Sequence, residues 1–410
     1  MRCHKVIKNA IIRIKEASMA RIPYQKTLIF CVAVIIAIFI LGLSKDLAQS
    51  KGQKVANNNT VKTARVVANG DILLHDVLYA SARQPDGTYN FTPYFKEVKS
   101  WIESADLAIG DYEGTISSEY PLAGYPLFNA PNEIATTMKE TGYDVVDLAH
   151  NHILDSQLAG AINTVKTFNR LGLDTIGVYL KDRNKEDILI KRVNGIKIAI
   201  LGYSYGYNGM EANVSKSDYE KHMSDLDTKK IKQDIKKAEK EADITIVMPQ
   251  MGIEYQKKPT TEQVMLYHSM IKWGADIIFG GHPHVVEPSE VIKKDGQKKF
   301  IIYSMGNFIS NQRLETVDDI WTERGLLMDV TIEKKGQKTV IKKVKAHPTL
   351  VEAKANGRYV EEGFPAYDYR TLVLEDYIEG GKKRSTIDQT MKDKVDKAYK
   401  EMNELVNLKW

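Results

Sequence analysis

A chain of 410 residues, 43% apolar and 27% charged, has the balance of a globular protein and room for one large domain or two ordinary ones. The formal charge is +5, but seven basic residues against one acid precede residue 27 and the remainder stands at −1; with no basic-aromatic groove signature, no nucleic-acid partner is expected. Cys3 and Cys31 are the only cysteines, which excludes a disulfide framework and a cysteine metal site from the main body.

The first element is Leu28 to Leu43, sixteen apolar residues in a row, extended by Thr27 and Ser44 to about the length that spans a bilayer. The basic residues from Arg2 to Lys26 precede it, so the positive-inside rule keeps 1–27 cytoplasmic and places everything after residue 44 outside. A cleaved signal peptide is the alternative. The stretch ahead of the apolar run is long for one, and Asp46-Leu47-Ala48 is a poor cleavage site. The expectation is a single-pass transmembrane helix over 28–44 in the cell membrane, with the main domain extracytoplasmic. Residues 45–62 are polar and small and read as a tether.

From Thr63 short apolar runs end repeatedly in polar residues. Thr63 to Ala68 ends at Asn69-Gly70-Asp71, Ser104 to Ile109 at Gly110-Asp111-Tyr112-Glu113, and Asp144 to Ala149 at His150-Asn151-His152. Helical spacing fills the intervals at Pro93–Glu103, Asn132–Thr141 and Ser156–Leu171. That alternation predicts a mainly parallel sheet with helices on its faces. Asn194-Gly195 then marks a hairpin between Ile188–Val193 and Ile196–Leu201. A charged helix over Leu226–Glu241 leads to a strand over Asp243–Met248, which runs into Gln250. A helix over Thr260–Trp273 and a strand over Ala275–Phe279 deliver the chain to Gly280-Gly281-His282-Pro283-His284. Two more hairpins follow, Val286–Ile292 with Phe300–Ser304 and Leu326–Glu333 with Thr339–Lys345. A terminal helix is expected over Ser385–Leu408, its apolar stripe packed on the domain. The mixture of parallel strands and hairpins suits two packed sheets flanked by helices.

Five of the nine histidines lie at strand ends: His75, His150, His152, His282 and His284. In an α/β sheet such ends face one crevice. Asp71, Asp111 and Glu113 join them, and imidazoles with hard carboxylates suit a divalent zinc, manganese or iron ion. Two such ions would polarise a phosphoryl or acyl oxygen and supply a nucleophile. Alone, His75 and His150 read as turn residues, and Asp155 reads equally well as a helix cap.

Gly70-Asp71, Glu113-Gly114, Asn151-His152 with Asp155, Gly252-Ile253-Glu254-Tyr255, Gly281-His282-Pro283-His284 and Tyr303-Ser304-Met305-Gly306-Asn307-Phe308 follow one another in an order that resembles the capsule-synthesis protein CapA/PgsA family. The resemblance covers 63–315 and leaves 316–410 as a C-terminal extension. It implies a four-layer α/β/β/α sandwich of the metallophosphatase kind and a part in poly-γ-glutamate capsule formation. It implies metal ligands at Asp71, Glu113, Asn151, His152, His282 and His284, with catalytic roles for His152, His284 and Asn151. His75, Asp111, His150 and Gln250 are possible additional ligands. Asp155, Glu254, Tyr255, Ser304 and Asn307 are candidates to support the site or touch substrate. The chain departs from the family pattern at His150, Asp111 and Gly281, and above all at Gln250, where the family has a histidine. Two functions follow as expectations. One is a metal-dependent hydrolase or transferase of capsule assembly. The other is a non-catalytic scaffold that handles an anionic surface polymer beside capsule synthase or export subunits.

Overall fold

The computed structural model describes residues 60–185, 188–360 and 363–410. The expected anchor over 28–44 lies outside them. Among the described residues no helix is long and apolar enough to cross a membrane.

Period-two burial makes the first sheet. In β1 (Val61–Leu73), Ala64, Val66 and Ala68 point to one core while Val67 points to another. β1 pairs in parallel with β2 (Leu107–Glu113), β2 with β3 (Val145–Asp147), and β3 with β4 (Asp174–Ile176). On its other side β1 meets an antiparallel run from late in the chain: β12 (Arg324–Lys335), β13 (Lys338–Tyr359) and β14 (Pro365–Val373). The second sheet has the order β5-β6-β7-β8-β10-β9, from Leu189–Val193, Ile196–Ser204, Ile244–Gln250, Ile277–Phe279, Gln297–Ile302 and Ser289–Lys294. β11 (Asn307–Ile309) returns to the first sheet and pairs with β1.

Three apolar clusters separate the layers. One joins the inner faces of both sheets, with Val66 and Ile109 on one side and Ile198, Ile246 and Phe279 on the other. A second lies between the first sheet and helices that include Glu133–Thr141 and Gln157–Arg170. A third lies between the second sheet and the helices Thr228–Glu241 and Thr261–Trp273. Helices, sheet, sheet and helices therefore follow in succession. The terminal helix, Gln389–Val406, adds Val395, Ala398 and Met402 to the inter-sheet cluster.

Several sequence boundaries shift. Pro93–Glu103 is two short helices, Thr92–Phe95 and Lys99–Glu103, with proline at the start of the first. The strand expected from Val286 starts at Ser289, after Pro288, which has no N–H for the ladder. β13 runs fourteen residues past the expected Lys345, and β14 carries no clear apolar alternation; both complete the sheet that β1 begins, and Val61–Trp410 packs as one unit.

Candidate metal centre

Backbone register places a row of polar side chains across the first sheet. Asn307 of β11 pairs with Asp71 of β1, Asp71 with Asp111 of β2, and Asp111 with Asp147 of β3. All four are buried. β1 breaks register between Ala68 and Asp71, a local irregularity of the kind that re-aims side chains. Gly70 makes room for it: a Cβ there would lie 1.8 Å from the Gly306 carbonyl oxygen. The Asp71 amide donates to that same oxygen at 2.9 Å.

The second sheet brings its own strand ends to the same place. Gln250 ends β7 and bridges to Gly281, which follows β8. His282 and His284 then adopt φ of 94° and 57°, and Tyr255 on the adjoining loop adopts 65°. Such conformations cost on the order of 1–3 kcal/mol each in a non-glycine residue and are held only by surrounding structure. The Tyr255 amide donates to the Pro283 carbonyl at 2.8 Å, and the Gln263 side chain donates to both the Met251 carbonyl and the Glu287 carboxylate, each at 2.9 Å. Burial pushes the Glu287 carboxyl up to about 8.

Asp71, Glu113 and His284 meet at the centre, each offering a ligand atom within 4.8 Å of the other two. His284 Nδ1 lies 3.0 Å from Asp71 Oδ2, 3.1 Å from Asn307 Oδ1 and 3.9 Å from Glu113 Oε2. Burial opposes a charge on His284, but Glu113 and Asp71 outweigh it and push its pKa up to about 10. Glu113 itself is shifted upward by burial, against the pull of His284 and His150. Beside this triad, His150 Nε2 shares a hydrogen bond with Asp111 Oδ1, and Gln250 Nε2 donates to Asp111 Oδ2 at 2.7 Å. Burial and then the Asp71 charge hold Asp111 well above the usual carboxylate range.

His152 forms a second arrangement. Its Nδ1 is 2.7 Å from Asp155 Oδ2, which also accepts from the Phe128 amide, and its Nε2 faces Glu113 Oε1 at 3.9 Å. Burial lowers its pKa, but Asp155 and Glu113 turn the net shift upward. The Asn151 amide nitrogen donates to Asn208 Oδ1 at 3.3 Å. His282 packs on Tyr205 at 4.5 Å between rings, and burial followed by the nearby His284 lowers its pKa to about 3.

Other sequence candidates sit further out. His75 stands at the start of the helix Asp76–Ala82 with its ring against Phe128. Ser304 Oγ accepts from the Gly306 amide, a loop-holding bond. Glu254 and Tyr255 are exposed, with the Tyr255 ring 6.2 Å from that of His284.

Buried polar atoms without a hydrogen-bond partner test whether this set suits a cation. Asp71 Oδ1, both Glu113 oxygens, His150 Nδ1, Asn151 Oδ1, Gln250 Oε1 and His282 Nδ1 are all in that state. The ion pairs of Asp71, Asp111, Glu113 and Asp155 are with histidines. Buried carboxylates left this way cost several kcal/mol unless a positive charge joins them. The carboxylate, carbonyl and imidazole donors fit a divalent transition ion.

The sequence profile of the bacterial capsule synthesis protein family PGA_cap matches residues 65–312, more than half of the chain. The chain belongs to that family. Among curated proteins, it is 30% identical over 224 residues to the capsule biosynthesis protein CapA of Bacillus anthracis, covering 53% of this chain and 54% of the relative. It is 32% identical over 223 residues to the PGA biosynthesis protein CapA of Bacillus subtilis, covering 53% and 57%. The chain thus spans about half the length of the curated relatives it matches. Among solved structures it is similar to a phosphatase from Mycoplasma pneumoniae, at 17% identity and a TM-score of 0.42 over 70% of this chain and 94% of that one. The calcineurin-like phosphoesterase YfkN of Bacillus subtilis gives 17% and 0.43 over 70% and 91%.

Motif reading within this family overlooks Asp147, Asn208 and Tyr205. Asp147 ends β3 within the apolar run Asp144–Ala149, and its one signal is a lone acid among buried neighbours. Asn208 and Tyr205 come from the loop after β6, which carries no motif.

Proposed function

We propose that the chain is a membrane-anchored protein of the outer cell face that acts in building a bacterial capsule, of the poly-γ-glutamate type or a related anionic polymer, through a metal-dependent hydrolase or transferase centre. The family and the names of its two Bacillus relatives support the capsule role. The apolar run 28–44 and the basic residues before it support the anchor. Partners among capsule synthase or export subunits follow from the same reading.

The observation that carries the enzymatic part is the set of buried, unpartnered oxygens and imidazole nitrogens at the strand ends. Asp71, Glu113 and His284 would hold the ion, with Asn151 and His282 at its edge. A divalent ion there supplies a Lewis acid for a phosphoryl or acyl oxygen and lowers the pKa of nearby water. Asp155 fixes the His152 ring through Nδ1, so Nε2 faces the centre and can hold a proton for a leaving group. Asn307 and Asp71 orient His284 from behind. Tyr205 and Tyr255 line the entrance, where a chain-like substrate would lie.

A carboxamide at position 250 is the observation that favours a polymer-handling scaffold instead. The two readings separate in the native host. Replacing the chromosomal copy by His282→Ala abolishes surface polymer, with the protein still folded and membrane-bound, if the centre does chemistry. Polymer at wild-type level in that strain contradicts the enzymatic reading.

A further inference from the structure

Beside the metal centre lies a second concave site that no motif marks. A cavity of about 520 Å³ opens between the helix Asp76–Ala82, the loop at Leu122 to Gly124, the segment Asn311 to Arg313 and the start of β14. Gln312 links it to the centre: its side chain accepts from Asn307 Nδ2 at 3.0 Å and donates to the Tyr255 hydroxyl at 3.3 Å. Arg313 is the cation of this cavity, and it is held on three sides. Its Nε donates to Glu315 at 3.1 Å, its Nη1 donates to Asn311 Oδ1 at 2.6 Å, and its guanidinium lies 4.4 Å over the Tyr367 ring. The Tyr369 hydroxyl donates to that same Asn311 oxygen at 2.5 Å. Neither arginine bond uses Nη2. The Arg313 side chain is 13% exposed against 66% for Glu315, so the acid can swing aside for another carboxylate while the arginine stays in place. A planar fork fixed by stacking and hydrogen bonds is suited to a carboxylate. Asp76 lines the same cavity; its Oδ1 accepts from the Val77 amide at 2.7 Å, a bond that leaves Oδ2 out. Leu122, 38% exposed, adds apolar surface. A cation and an anion in one cavity suit a group that carries both a carboxylate and an N–H. Each unit of a γ-linked glutamyl chain carries the two on one carbon, with methylenes beside them.

We propose that this cavity is a subsite for one unit of a γ-glutamyl chain, with the α-carboxylate of that unit on Arg313 and its N–H on Asp76. This rests on the capsule-polymer reading above and names the chemical group by which the polymer is held. It lays the chain beside the metal centre and gives Arg313 and Asp76 a part in specificity, not in chemistry. Asp76 decides the ligand class. A site for a bare polyanion, a uronic acid or a phosphate, gains nothing from a carboxylate in its wall.

The test is calorimetric titration of a γ-linked glutamyl oligomer into the full chain after chelator treatment, for wild type, Arg313→Gln and Asp76→Ala, each checked for fold by circular dichroism. An oligogalacturonate of equal charge, which has carboxylates but no N–H beside them, is the control. Wild type is expected to bind the glutamyl oligomer and to prefer it to the control. Arg313→Gln weakens that binding by about 10-fold or more, the worth of one hydrogen bond to a charged group. Asp76→Ala weakens it too, although the change removes a negative charge from the path of a polyanion. Wild-type affinity in Arg313→Gln, tighter binding in Asp76→Ala, or equal binding of the two oligomers overturns the proposal and leaves the capsule-polymer reading standing. A wild-type chain that takes up zinc but no glutamyl oligomer overturns the proposal and leaves the metal-centre reading intact. Wild-type polymer in the His282→Ala strain overturns the enzymatic reading without touching the subsite. Should Arg313→Gln fail to fold, Asp76→Ala and the oligogalacturonate control decide.

Discussion

Two buried histidines, one on the turn after β8 and one in β13, are each flanked by carboxylates, and they behave differently. His284 meets Asp71 and Glu113; His347 of β13 meets Glu375 at 2.8 Å and Asp329 at 3.6 Å. Around His347 a cation is already present, because the Arg65 guanidinium holds Asp329 at 3.1 Å. Trp101 covers the ring at 4.8 Å, and the carboxylates keep some contact with solvent. Around His284 the carboxylates are fully enclosed and their ion pairs are with histidines. A histidine between acids is thus no sign of a metal by itself. What distinguishes the His284 centre is full burial of carboxylates that, among the described residues, have no lysine or arginine partner, gathered at the ends of strands from both sheets.

Metal affinity should break the comparison most sharply. Asp71→Asn and His284→Ala should each weaken zinc or manganese binding by more than about 100-fold, beyond the range for groups behind a ligand. His347→Gln should leave it unchanged in the same titration. Stability comes next. At free metal about 100 times the dissociation constant, the ion should stabilise the fold by about 2.7 kcal/mol. Thermal melts of the full chain with and without chelator should show that difference in wild type and in His347→Gln, and not in His284→Ala.

A smaller effect belongs to the His347 side. Burial opposes its charge, but Asp329 and Glu375 outweigh it and raise its pKa above 6.5. Its stabilising contribution is therefore complete below pH 6.5 and is lost as pH rises through the raised value. His347→Gln should cost about 1–2 kcal/mol in urea unfolding at pH 6 and less at pH 9. The last effect concerns Glu287, three residues after His284. Its carboxyl is neutral in the fold up to about 8 and ionises near 4.5 when unfolded, so stability declines as pH rises from about 4.5 to about 8. Glu287→Gln should flatten that decline in a pH series of melts.

Much of this was legible in the sequence. Apolar runs ending in Asp71, Glu113, His152 and His284 marked both the strands and the centre, because an inward strand end must be apolar before it and polar at it. The hairpin at Asn194-Gly195 was equally plain. Hidden were features set by register and not by composition. Asp147 reaches the row only because β3 pairs with β2 in step. The part of β13 beyond Lys345 and all of β14 escaped notice because apolar and polar residues along them do not alternate regularly, which blurs the pattern that betrays a buried strand.

The most direct test of the metal centre is elemental analysis of the full chain purified without chelator, beside the double variant His282→Ala/His284→Ala. A transition-metal ion in the wild-type protein and none in the variant is the expected result. A wild-type protein that holds no metal, even after reloading with zinc or manganese, would contradict the account and leave a polymer-handling scaffold in its place.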